Sequence, residues 1–379
     1  MSVRGPRKAF HAWAWAALLG LLGSGGALAD ELNMTPGVTS ISREVYDLHM
    51  LVMWICTIVG IGVFGVIIYS IINHRKSKGA QAAQFHESTT VEIVWTIIPF
   101  IVLIAIAIPA TKALLDLEDS SDPDMTIKVT GWQWKWEYEY LDDGIHFFSN
   151  LDAESNKARQ RNSGIDPASV DHYLLNVDKP LVVPINKKIR FLLTANDVIH
   201  SWWVPALGFK KDTIPGFIND AWARIEQPGI YRGQCAELCG KDHGFMPIVV
   251  EAKTEEDYKK WLVAQKEARA AELAAAGQAY TKADLMKKGE EVYAANCAAC
   301  HLPGGEGTGP FPALKGSAVA TAGPIADHIK IIVTGKGMMP PFGTQLNDLD
   351  IAAVTTYERN AWGNDTGDIV QPSDVKSAR

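Results

Sequence analysis

Three stretches of the chain are almost wholly apolar, and all lie within its first 110 positions. The first, Ala9 to Leu22, follows Arg4, Arg7 and Lys8 and precedes Ala27-Leu28-Ala29, the small-residue pattern at which a secretory signal is cut. Residues 1–29 are therefore expected to be a signal peptide and Asp30 the mature N-terminus. The second stretch, Met50 to Ile72, holds 23 residues without a charge. At ~1.5 Å per helical residue it would reach ~34 Å, enough to cross the hydrocarbon core of a bilayer. The third, Ile93 to Ala110, follows after a short loop. A segment 30–112 with membrane helices at about 50–72 and 92–111 is the expectation.

Beyond it the pattern changes period. Ile127 to Thr130, Trp132 to Tyr140, Leu181 to Val183, Ile189 to Thr194 and Ile248 to Glu251 alternate apolar and polar positions between Pro, Gly, Asn and Asp. Period-two runs of this kind predict an antiparallel β-sandwich or barrel over 113–252. Thr254 then caps an Ala-, Glu- and Lys-rich run that ends at Gly277, a helical connector over 253–281. Thr281 with Asp284 opens a last, small, all-α domain, 282–379, in which Asn347 caps a helix from Leu349 to Trp362 crossing the first near Gly289. The tail from Gly363 is polar and expected to fray.

Charge fixes the orientation. His74, Arg75, Lys76 and Lys78 lie between the two membrane runs, while Asp116, Glu118, Asp119, Asp122 and Asp124 follow the second, so the loop is cytoplasmic and both soluble domains face outward. With 36 basic against 43 acidic residues there is no clustered basic face, which excludes nucleic acid as a partner. Five cysteines, four in two tight pairs, do not form the scattered set of a disulfide scaffold and point to metal or cofactor chemistry. Cys56, mid-helix among apolar neighbours, is a packed small hydrophobe.

The segment Cys235-Ala-Glu237-Leu-Cys239-Gly-Lys-Asp-His243-Gly-Phe-Met246 gathers thiolate, imidazole and thioether donors within twelve residues. Soft sulfur and imidazole suit copper in both oxidation states. If the two thiolates bridge two coppers, each metal needs its own imidazole, and His200, which ends the Ile189–Ile199 run, supplies the second. A Cys235–Cys239 disulfide would leave His243 and Met246 unexplained, and a zinc site has little use for Met.

Cys297-Ala-Ala-Cys300-His301 is the C-x-x-C-H spacing that attaches heme through two thioethers and ligates its iron by the next histidine. A redox dithiol would need a βαβ context that the sequence lacks. Residues 282–362 resemble class I cytochromes c. In that family the second iron ligand is a Met directly before Pro, which selects Met339 over Met338, and the carbonyl of Pro310 is the implied acceptor for the ring of His301.

Two apolar helices, Gly131-Trp-Gln-Trp-Lys-Trp-Glu-Tyr-Glu-Tyr140, His200-Ser-Trp-Trp-Val-Pro205, Asp212-Thr-Ile-Pro-Gly216 and the Cys235–Met246 loop together resemble subunit II of heme-copper cytochrome c oxidases over residues 35–262. The resemblance implies a cupredoxin-like sandwich holding the dinuclear CuA centre, with Cys235 and Cys239 bridging, His200 and His243 on one copper each, Met246 a weak ligand and the Glu237 carbonyl a further one. It further implies a magnesium ion at the Glu237 side chain shared with subunit I, Trp134 as the aromatic through which electrons arrive, and Glu92 at the mouth of a proton channel. His86 is left without a role. Expected partners are subunits I and III, a soluble or membrane cytochrome as donor, and membrane lipid. The expected place is the bacterial inner membrane, spanned twice, with both metal domains on the periplasmic side.

The chain then reads as a relay from heme c to CuA and on to subunit I, where oxygen is reduced and protons are translocated. A CuA relay for a nitric oxide reductase and a copper-storage or assembly protein are the rivals. Nitrous oxide reductase is set aside by the two-helix anchor and Glu237. Between Thr111 and Asn150 nine acidic residues face three basic ones, yet residues 285–379 hold ten acidic and eight basic, so charge steering between the two domains is weak. A covalent tether of ~20–30 residues replaces it with an effective concentration on the order of millimolar.

Overall fold

In the computed structural model, which describes residues 33–379 apart from 83, 85, 161, 162 and 276, the chain divides into two compact units. The expected signal peptide and the start at Asp30 lie outside the described residues.

The first unit is built on helices α1 (Ser40–Asn73) and α2 (Thr89–Glu118), both longer than the apolar runs that announce them. The apolar run marks only the part of a helix that needs apolar surroundings, and caps decide where it stops. Thr39 caps α1 reciprocally: its Oγ1 accepts from the Ser42 N–H at 2.9 Å and Ser42 Oγ accepts from the Thr39 N–H at 2.9 Å. Arg43 makes a forked ion pair with both oxygens of Glu226 at 2.7 Å. Lys112 near the end of α2 bonds Glu44 near the start of α1 at 2.8 Å, so the two helices run antiparallel as a hairpin. Each is long and apolar enough to cross a membrane, and side chains such as Ile61 and Ile108 stand exposed along them. A surface this apolar and continuous calls for lipid or a protein partner.

The sandwich lies mostly in the second unit. Its strands are β1 (Met125–Trp132), β2 (Lys135–Tyr140), β3 (Ile145–Ser149), β4 (Leu181–Pro184), β5 (Ile189–Ala195), β6 (His200–Val204), β7 (Phe209–Thr213), β8 (Asn219–Ala223), β9 (Gly229–Cys235) and β10 (Pro247–Lys253), with helix α3 (Ala153–Ala158) between β3 and β4. They form two five-stranded sheets, β3-β2-β1-β5-β8 and β4-β10-β9-β6-β7. Ile127, Val129, Phe191, Leu193, Trp136 and Trp202 are buried, as the alternation requires.

Three expectations are corrected here. The sheets are mixed, because β1 runs parallel to β5 and β4 parallel to β10. Such pairs need long crossovers, and period-two alternation does not distinguish them from hairpin partners. The Trp132–Tyr140 run is a hairpin, Trp132 pairing with Lys135 across a two-residue turn that holds Gln133 and Trp134. The Ile189–Ile199 run ends as a strand at Ala195, and His200 opens β6.

Helix α4 (Glu255–Ala275) is the connector, and its Trp261 ring packs 5.4 Å from Tyr140. The last domain comprises α5 (Lys282–Asn296), α6 (Ala298–His301), α7 (Ala318–Thr321), α8 (Ile325–Thr334), α9 (Asp348–Asn360) and α10 (Pro372–Ala378). Thr281 and Asn347 cap α5 and α9 by accepting from the Asp284 and Asp350 N–H groups. The tail does not fray: Val370 and Val375 are fully buried and anchor α10 in the core. Two apolar residues five apart were too sparse to be read as a helix face.

Helices α5 and α9 cross at Gly289, where a Cβ would stand 2.2 Å from the Ala353 carbonyl oxygen and 2.6 Å from Tyr357 Cβ. Gly289→Ala should therefore destabilise this domain by ~1–2 kcal/mol net, helix separation outweighing the gain in helix propensity. The denaturant midpoint of the domain in the full chain measures it, and an unchanged midpoint contradicts the close crossing.

Candidate functional site

Two neighbouring strands of the second sheet deliver the first donor cluster. Strand β6 begins at His200, β9 ends at Cys235, and the two pair through Trp202 and Cys235. The loop from β9 to β10 carries Cys239, His243 and Met246 back onto the same point. His200 Nδ1 lies 4.0 Å from Cys235 Sγ, the two sulfurs 3.8 Å apart, His243 Nδ1 3.5 Å from Cys239 Sγ and Met246 Sδ 3.5 Å from Cys239 Sγ. Both cysteines are buried free thiols, so no disulfide joins them. The Glu237 carbonyl accepts from Cys235 Sγ at 3.3 Å, while the Glu237 side chain is exposed.

The surroundings orient these donors. His200 Nε2 faces Asp197 Oδ1 at 2.9 Å, leaving Nδ1 for the cluster. Burial disfavours the charged imidazole, but Asp197 and the Cys235 sulfur outweigh it and raise its pKa. The thiols titrate as a pair: Cys235, stabilised first by the Cys239 thiol, is pushed down to about 3, and Cys239, donating to it, is pushed up. Gly131 leaves room for the His200 ring, since a Cβ there would be 2.8 Å from His200 Cδ2. Gln133 Nε2 and Trp134 Nε1 donate to the Cys239 carbonyl at 2.9 and 3.1 Å, which seats the β1–β2 turn on the loop. Trp136 Nε1 reaches the Met246 carbonyl at 3.2 Å.

The chemistry of this set fits a pair of copper ions. Each imidazole approaches a different sulfur, whereas a single tetrahedral zinc would gather all four donors about one point. Two soft sulfurs between two imidazoles are donors of the kind such a pair would need.

The second cluster lies in the helical domain. His301 is 8% exposed, and its Nδ1 faces the Pro312 carbonyl at 2.8 Å, leaving Nε2 for a metal. The expected acceptor, Pro310, is corrected to Pro312; the turn at Thr308–Phe311 carries the chain past the first proline. Burial raises the pKa of both the Cys297 and the Cys300 thiol. A redox dithiol relies on a lowered thiol pKa, so this environment speaks against that use. Met339 is half-buried against the domain core, while Met338 is 66% exposed and turned outward. Histidine, thioether and two sheltered thiols are the donor set of an attached heme.

Glu92 sits exposed in the first turn of α2, in the other compact unit. Asp197 was missed at the sequence level, although an acid three positions before a candidate ligand histidine is a readable signal. Pro312 had no signal of its own.

Comparison with known proteins agrees with this division. The family described as cytochrome c oxidase subunit II, transmembrane domain, matches residues 27–113, and cytochrome c oxidase subunit II, periplasmic domain, matches 125–253. Cytochrome c oxidase, cbb3-type, subunit III, matches 284–357. A probable cytochrome c oxidase subunit 2 from Rickettsia prowazekii is 39% identical over 235 residues, 62% of this chain and 72% of that protein. Cytochrome c oxidase subunit 2 of Cereibacter sphaeroides is 35% identical over 237 residues, 60% of this chain and 78% of its own length. Among solved structures, the periplasmic domain of subunit II of cytochrome oxidase from Bradyrhizobium japonicum is 38% identical and covers 39% of this chain and 98% of its own, with a TM-score of 0.35.

Proposed function

The chain belongs to the cytochrome c oxidase subunit II family, and from that premise we propose how its residues carry electrons through it. It is an electron-transfer subunit of a heme-copper oxidase with a cytochrome c domain attached. The relatives are oxidase subunits, which does not favour a nitric oxide reductase relay or a copper-storage protein.

On our reading, Cys235, Cys239, His200, His243, Met246 and the Glu237 carbonyl would hold a pair of coppers, and Cys297, Cys300, His301 and Met339 would hold heme c. Bound there, the two groups supply one-electron carriers. The chain's own residues hold them still: Asp197 orients His200, Pro312 orients His301, and the Trp134 indole bonded to the Cys239 carbonyl gives electrons an aromatic path to the copper loop. The observation that carries the reading is the approach of each imidazole to a different sulfur of one close pair. Absorption and electron paramagnetic resonance spectra of the purified complex test it: mixed-valence copper and ferrocytochrome signals should both appear, and a single copper per chain would sink it.

Asp197→Asn removes the carboxylate behind His200 and should weaken copper binding ~10–100-fold, as loss of such outer partners does. Competition with a copper chelator reads this out, and unchanged affinity contradicts the orienting role.

We further assign two membrane spans in a bacterial inner membrane, with the loop at Arg75–Lys78 cytoplasmic and both metal domains periplasmic. Subunits I and III are the partners of the exposed helix faces, and an external cytochrome feeds the heme domain. The exposed Glu237 side chain is free to share a magnesium ion with subunit I, and Glu92 is set at the head of α2 where a proton channel would open. Because the heme domain is tethered, transfer from heme to copper should change little with ionic strength. Flash-induced kinetics at low and high salt check this, and a tenfold fall on the order of that seen for steered pairs would contradict it.

A further inference from the structure

The segment that attaches heme lies directly on the loop that gathers the copper donors. Lys241, between Cys239 and His243, donates through Nζ to the Ala299 carbonyl, inside the C-x-x-C-H turn, at 2.6 Å. Asn156, from α3, donates through Nδ2 to the Ala294 carbonyl in the last turn of α5 at 2.9 Å. Its Oδ1 accepts from Arg159 Nε at 2.8 Å, and Arg159 in turn bonds Asp242, beside Lys241, at 3.0 Å and lies over the Phe245 ring. The strut from α3 and the copper loop are thus one braced unit.

Lys135, next to Trp134, lies between the two domains. It is 6% exposed, donates to Asn296 Oδ1 at 3.1 Å, and stands 4.9 Å from the Phe148 ring centroid on one side and 5.2 Å from that of Phe342 on the other. Phe342 is three residues beyond Met339.

These donors meet the C-terminal ends of α5 and α6, whose last carbonyls lack partners within the helix and carry partial negative charge. Each contact joins a side-chain donor to a neutral oxygen, so salt screens it less than it would an ion pair between exposed groups.

We propose that Lys241 and Asn156 are positioning residues for transfer between the two centres: they clamp the heme-attachment segment 294–299 onto the copper loop and shut Lys135 between the domains. The proposal rests on the assignment of the two centres given above. The step it serves moves one electron, the heme iron being oxidised and the copper pair reduced, with no bond made or broken. Burial between the domains pushes the Lys135 ammonium down to about 8 despite the pull of Cys297, Asp178, Glu137 and Asp197.

The test uses the purified complex with the full chain, comparing wild type with Lys241→Met combined with Asn156→Ala, and with Lys241→Arg, which keeps a donor. Two quantities are read: the rate at which an amine-reactive reagent labels Lys135, and the rate of flash-induced transfer from heme to copper. The double variant should label Lys135 about tenfold faster and transfer about tenfold more slowly, the effect of losing one charge-assisted hydrogen bond, with heme and copper spectra unchanged. Lys241→Arg should stay near wild type in both. Labelling and transfer both within twofold of wild type overturn the clamp. Slowed transfer with Lys135 still protected overturns the positioning role. Should the double variant fail to take up copper, Asn156→Ala alone, outside the copper loop, decides by the same labelling criterion. If wild type itself lacked the copper or heme signals, the assignment of the centres would fall, while the labelling comparison would still decide the clamp.

Discussion

Replacing Cys239 by serine should abolish mixed-valence copper and stop electron flow from the heme domain, leaving the heme spectrum intact. Cys239 Sγ is the crossroads of the cluster, within 3.8 Å of Cys235 Sγ, His243 Nδ1 and Met246 Sδ together. A hydroxyl there keeps the shape but offers a hard, weakly acidic oxygen where a soft bridging thiolate is needed. Loss of a mere outer partner costs ~10–100-fold in affinity, and losing the bridge should exceed that. Copper content by elemental analysis and the near-infrared absorption measure the outcome, and a variant retaining two coppers would remove the bridging role from Cys239.

Met339→Leu should lower the heme potential on the order of 100 mV or more, a modest part of the ~0.8 V that axial ligation spans, while Met338→Leu leaves it unchanged. The pair is decisive because the two residues are adjacent and chemically identical. Only their placement differs: Met339 packs against the domain core, and Met338 is two-thirds exposed. Thioether stabilises ferrous iron, so its removal favours the oxidised state, and delivery of electrons from the external donor into the heme domain slows for want of driving force, while the step from heme to copper becomes more downhill. Potentiometric titration of both variants checks this. A fall in Met338→Leu and none in Met339→Leu would exchange the two assignments.

Much of the site was legible before any fold was known. C-x-x-C-H is a contiguous pattern, because heme attachment needs two thiols and a histidine on one turn. The candidate copper donors from Cys235 to Met246 are likewise local, set on one loop by their spacing. His200 was found only by counting imidazoles, since it arrives from another strand. Pro312 and Asp197 show where such reading stops: each acts through one hydrogen bond, to His301 or His200, that depends on the path of a loop. A proline two positions earlier fits the sequence equally well and points elsewhere.

The two apolar helices followed from uncharged runs, the sandwich from period-two alternation, and the helical domain from the capping residues Thr281 and Asn347. Strand direction did not follow, because parallel β1–β5 and antiparallel β1–β2 pairs bury the same alternating residues.

By itself, then, the sequence determined which residues are candidate metal donors, their local spacing, and the order of the three folded parts, because bonding preference and apolar patterning are properties of short stretches. The tertiary structure alone decided which oxygen steadies each histidine, and that Lys241 and Asn156 meet the turn at Cys297–His301. Those are contacts between residues up to 138 positions apart, and their free energy exists only once the chain has closed around them.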